Sequence, residues 1–65
     1  MKAYFTLAVQ HEIDEPWSVE FGSFEGEEVM FEAETYIDNC NDLFIFMTDG
    51  SQGAIDSMIA ELNVY

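Results

Sequence analysis

Lys2 is the only lysine or arginine in this sequence, and it stands against fourteen aspartates and glutamates. With a formal net charge of -13 at pH 7, almost no carboxylate finds a cation within the chain, and like-charge repulsion opposes every compact state. Such a chain folds only by sorting its residues, with apolar side chains inward and carboxylates outward. The composition supports this: 49% of residues are hydrophobic and 15% aromatic, far more than a disordered acidic tail carries. The expectation is one folded domain, residues 1–65, burying about 60% of the surface that its unfolded chain exposes.

The pattern reads strand, strand, helix, strand, helix. Tyr4 to Gln10 alternates, with Phe5, Leu7 and Val9 on one face and Tyr4, Thr6, Ala8 and Gln10 on the other. A polar loop, His11 to Pro16, precedes a second alternating run in which Trp17, Val19 and Phe21 share a face. Residues 25–39 have helical periodicity. At about 100° per residue, Val29, Met30, Ala33, Tyr36, Ile37 and Cys40 fall together, whereas Glu27, Glu28, Glu32, Glu34 and Asp38 fall opposite, with Phe31 among them.

Leu43 to Met47 is an apolar run of strand length. Beyond it, Asp49 and Gln52 have capping-box spacing ahead of an Ile55, Met58, Ile59 and Leu62 stripe. The predicted fold is α+β: a two-layer sandwich in ββαβα order, its three-stranded antiparallel sheet ordered 2-1-3 by a right-handed crossover and both helices on one face. The other sheet face then carries residues such as Tyr4, Thr6, Ala8, Phe44 and Phe46, unless the two phenylalanines turn toward the helices.

Several chemistries find no support. A single cysteine, Cys40, allows neither an intrachain disulfide nor a thiolate cluster, and its place on the apolar helix face suits a small buried hydrophobe. His11 lies in a loop with no nucleophile motif beside it and reads as a surface histidine, so no catalytic residue is nominated. Asp38, Cys40 and Asp42 break the EF-hand pattern, and neither Asp14 with Glu15 nor Asp49 offers enough ligands for a tight metal site. Gly22, Gly26, Gly50 and Gly53 match no phosphate-binding loop, so no cofactor is expected. No apolar run reaches membrane-spanning length, and the expected setting is the cytoplasm.

Direct binding to nucleic acid would require cations that the chain lacks, but the complementary role fits. A globule of this length has a radius of gyration of about 11 Å, hence a diameter of roughly 27 Å. Duplex DNA presents about sixteen charges over that span, close to the chain's own -13. The expected partner is therefore a basic nucleic-acid-binding protein or complex. Glu27, Glu28, Glu32, Glu34 and Asp38 would stand in for phosphates, Glu12, Asp14, Glu15 and Glu20 would extend the surface, and Phe31 would anchor it. A solvated helix face is the plain alternative for the same acids, but such a face normally carries both signs.

The segments Tyr4-Phe5-Thr6-Leu7-Ala8-Val9, Trp17, Phe21-Gly22, Thr48-Asp49, Ala54-Ile55-Asp56 and Ala60-Glu61-Leu62-Asn63 resemble a group of short proteins encoded by bacteriophages and prophages. Among these the chain resembles the anti-CRISPR inhibitors directed at type I Cascade complexes. That resemblance implies a non-enzymatic inhibitor occupying the basic surface where target DNA enters, and it assigns no residue. The sequence also admits a monomer or weak homodimer, with a homo-oligomeric accessory protein associating through Phe44 and Phe46 as the second possibility, and a haloadapted acidic surface as a third.

Overall fold

β1 (Tyr4–Gln10) is the strand around which everything else is arranged, because Thr6, Leu7, Ala8 and Val9 are all fully buried. Only a central strand covered on both faces can bury four consecutive side chains, since successive residues point to opposite sides. The structure, a computed structural model describing residues 2–64, continues with β2 (Ser18–Ser23), α1 (Gly26–Tyr36), β3 (Asp42–Thr48) and α2 (Gln52–Leu62). The chain is an α+β domain in the expected element order, and the sheet runs β2-β1-β3 with both pairings antiparallel.

The two faces of β1 belong to two separate clusters. On one, Leu7 and Val9 meet Val29 and Ala33 of α1, with Phe5, Phe21, Tyr36, Cys40, Leu43 and Ile45 around them. On the other, Ala8 meets Phe46 and Ile55 of α2, with Tyr4, Trp17, Met58, Ile59 and Leu62 around them. Full burial contributes about 1.5–3 kcal/mol for a side chain such as Leu7, Val9 or Val29.

The helices thus lie on opposite faces of the sheet rather than together on one. The reason is width. Two strand spacings of about 4.8 Å make a three-stranded sheet about 10 Å across, which matches the narrowest 11 Å dimension of the Cα envelope. A helix is itself about 10–12 Å in diameter, so α1 fills its face, and the second helix has only the reverse side to cover. Gly50, at φ 90°, makes that turn possible. A Cβ there would sit 3.3 Å from Tyr4 Cβ, so the chain hugs Tyr4 as it passes onto the α2 face.

Three local expectations change with the structure. The N-cap of α2 is Ser51, whose Oγ accepts from the Ala54 amide at 3.3 Å, not Asp49. Asp49 accepts instead from the Ser51 amide at 2.9 Å, and that bond holds its carboxyl below the usual value. Met30 and Ile37, expected over the core, are exposed, because the sheet beneath α1 is too narrow to reach its flanks.

The third change is in β2. Its register slips between Leu7, which faces Phe21, and Ala8, which faces Val19, so Glu20 is an inserted bulge residue. Trp17, Val19 and Phe21 therefore do not share a face: Trp17 packs in the α2 cluster and Phe21 in the α1 cluster.

Candidate functional site

The carboxylates were expected to form one surface, and the structure separates them into free and engaged groups. Every acid except Glu20 and Glu32 is exposed. On α1, Val29, Ala33 and Tyr36 turn to the sheet, which sends Glu27 and Glu34 outward with Phe31 between them, and Asp38 follows in the turn beyond the helix. Phe31 is 74% exposed, as expected of an aromatic projected among the acids. Met30 and Ile37, 61% and 59% exposed, add apolar surface that helical projection had assigned to the core.

Glu28 and Glu20 are committed to the fold. Glu28 Oε1 accepts from Ser23 Oγ of β2 at 2.8 Å. The bulge turns Glu20 toward α1, where Oε2 lies 3.0 Å from His11 Nε2 and 3.1 Å from Ser18 Oγ, and Oε1 accepts from the Tyr36 hydroxyl at 3.1 Å. The His11 hydrogen bond is the largest cause of the lowered Glu20 pKa, working against burial and reinforced by Ser18 and Tyr36. The reciprocal effect raises the Tyr36 hydroxyl pKa. His11–Glu20 is the only contact between a carboxylate and a basic side chain among the described residues, and an ion pair only when the imidazole is protonated, so His11 is not simply solvated. Glu32 is half-buried, and its carbonyl accepts from Thr35 Oγ1.

The loop carrying Glu12, Asp14 and Glu15 is held from below by two amides that the sequence did not single out. Gln10 Nε2 donates to the carbonyls of Ile13 and Glu15 at 3.3 and 3.0 Å, while its Oε1 accepts from Asn41 Nδ2 at 2.7 Å. The backbone N–H of Asn41 in turn donates to the Gln10 and His11 carbonyls. Glu15 N closes a turn onto the Glu12 carbonyl at 3.0 Å. Three exposed carboxylates are thus presented on a loop with a fixed backbone, and Asp42, paired opposite Gln10, adds a fourth at the same end.

The C-terminal end of α1 lies beside the start of the acidic loop. Tyr36, at the C-terminal end of α1, reaches Glu20 and packs edge-on to His11 at a centroid distance of 6.0 Å, while the N-terminal end reaches Ser23 at the far end of β2. α1 therefore descends toward the acidic loop; Glu27, Glu34 and Asp38 are exposed on its outer side and beyond its end, while on the loop Asp14 and Glu15 open toward Leu62 and Asn63 on the α2 side of the sheet.

Beside the loop opens a cleft of about 300 Å³ lined by Gln10, Asp14, Glu15, Trp17, Leu62 and Asn63. Asn63 locks its wall: Oδ1 accepts from the Trp17 amide at 2.6 Å and Nδ2 donates to the Trp17 carbonyl at 3.2 Å. An aromatic and carboxylates together suit a cationic side chain.

Among the described residues, no three His, Cys, Asp or Glu side chains are grouped to hold a metal ion, and no helix is long and apolar enough to cross a membrane. Compared with protein-family models, curated proteins and solved structures, the chain matches none.

Proposed function

We propose that this chain is a non-enzymatic DNA mimic whose exposed carboxylates occupy the basic DNA-binding groove of a host defence complex. The observation that carries the proposal is the state of the carboxylates: among the described residues only Glu20 lies within reach of a basic side chain, His11, and the exposed acids are left for an external partner. The Cα extents are 36 × 25 × 11 Å, so an equal length of duplex presents about 15 to 21 charges along the two longer dimensions, against the chain's -13.

Phe31, with Met30 and Ile37 nearby, supplies apolar contact within the charged surface. Steering by charge accelerates encounter, and desolvated aromatics lengthen residence. The cleft at Trp17 gives a lysine or arginine of the partner a place to insert. The nature of the partner, a type I Cascade complex in the host cytoplasm, rests on the resemblance in sequence to phage-encoded inhibitors.

The test is displacement of target DNA from purified Cascade by the wild-type chain and by Glu27→Lys, Glu34→Lys and Asp38→Lys, singly and combined. Stoichiometric displacement is expected, weakening as salt rises, with each reversal costing about 0.5–1 kcal/mol, or two- to fivefold in affinity. Absence of displacement, or an affinity indifferent to salt, would overturn the proposal.

A further inference from the structure

The two edges of the sheet are built differently. The outer edge of β2 is interrupted by its bulge and carries the charged Glu20 in its middle, two devices that discourage pairing with another strand. The outer edge of β3 has neither. Its register with β1 runs unbroken from Asp42 to Thr48, and Leu43, Phe44, Ile45, Phe46, Met47 and Thr48 include no charge and no proline.

Apolar surface adjoins that edge on both sides of the sheet. Phe44, on the α2 side, is 45% exposed, and Met47, on the α1 side, is 64% exposed. α1 lies chiefly over β1 and β2, tied to β2 through Glu28 and Tyr36. Met30 is about 200° around the helix from Glu28, so it and Ile37, one heptad on, occupy the flank toward β3.

We infer that the β3 edge pairs antiparallel with the β3 edge of a second copy, centred on Ile45, to give a continuous six-stranded sheet. Charge selects the occupant. A basic strand would find no carboxylate between Leu43 and Thr48, whereas a second copy brings the same neutral, apolar run in reverse. Centred on Ile45, the register sets Leu43 opposite Met47, Phe44 opposite Phe46 and Asp42 opposite Thr48, so no acid faces an acid. Pairing through the open sheet face would instead require Phe46, which α2 already covers. An antiparallel pair keeps each face on its own side, placing both α1 helices on one side and both α2 helices on the other.

This association is independent of the DNA-mimic proposal, and salt separates them: screening strengthens a contact between two chains of like charge and weakens one between opposite charges. Sedimentation equilibrium of the full chain from micromolar to millimolar concentration, in low and roughly 0.5 M salt, is expected to show twice the 7.4 kDa chain mass, with dimer favoured by salt. Phe44→Lys and Met47→Lys, both at exposed positions and checked for folding by circular dichroism, should each weaken the dimer about tenfold or more even though the added cation reduces repulsion. Hydrogen exchange should show the outward amides of β3 protected only at dimer-forming concentrations. A monomer under all conditions, a dimer insensitive to both substitutions, or concentration-dependent protection at β2 instead of β3 would overturn the inference.

Discussion

α1 and α2 are each eleven residues long and cover opposite faces of the same sheet, yet they are finished in contrasting ways. α2 has a side-chain N-cap in Ser51 and, through Asn63 at its C-terminal end, an anchor to Trp17 just before β2, and it carries only Asp56 and Glu61. α1 starts at Glu25 without a side-chain cap and carries Glu27, Glu28, Glu32 and Glu34, with no basic residue in its last turn and Phe31 in solvent. Glu27 and Glu28 do favour the positive end of the helix dipole, but the later acids gain nothing from it. The lesson is that α2 is fitted for holding the fold together, whereas α1 keeps surface features that folding alone does not explain.

The contrast is tested most severely by truncating one side chain from each helix. Ile55→Ala, in the buried cluster under α2, should cost about 2–5 kcal/mol in urea denaturation, while Phe31→Ala should change stability by less than about 0.5 kcal/mol and reduce partner binding. A large stability loss from Phe31→Ala would erase the distinction. Next in size, Asn63→Ala removes both bonds to the Trp17 main chain and should cost about 1–3 kcal/mol. The caps can then be exchanged: Ser51→Ala should lose about 1 kcal/mol, and Glu25→Ser should gain somewhat less, by giving α1 the acceptor it lacks.

The smallest effect concerns pH. Folding lowers the Glu20 pKa from its ordinary value of 4.5, principally through the His11 hydrogen bond. The unfolded chain therefore binds the proton more readily, and this group's contribution to stability, complete above 4.5, disappears as pH falls through the lower folded value. Denaturation of Glu20→Gln across the acid range should show a shallower loss there than wild type. An identical acid limb would mean that the His11, Ser18 and Tyr36 contacts do not tie α1 to β2 in solution.

Much of this architecture is legible from residue order. The alternation from Tyr4 to Gln10 marks β1, the Ile55–Met58–Ile59–Leu62 stripe marks the buried side of α2, and the outward place of Phe31 follows from helical projection. What periodicity does not encode is the lateral extent of the sheet, and the placement of α2 and the exposure of Met30 and Ile37 both depend on it. The bulge is hidden for a related reason: Trp17, Val19 and Phe21 alternate perfectly on paper, and only the partner strand reveals the extra residue. Within the candidate site the free acids of α1 and the loop could be nominated by type. The Tyr36–Glu20 and Asn41–Gln10 bonds join segments 16 and 31 residues apart, and the shorter-range bonds of Glu28 to Ser23 and of Gln10 to the loop carbonyls depend on how the strand ends turn, which periodicity does not record.

The central position of β1 also sets a schedule for biosynthesis. Thr48 lies 38 residues beyond Gln10, and at about 5–20 residues per second the ribosome needs roughly 2–8 s to deliver the strand that completes the sheet. During that interval the strand that the finished fold buries most completely lacks its second neighbour. The anionic residues that penalise the finished globule repel other copies meanwhile, so the same charges act as a built-in safeguard against premature clumping.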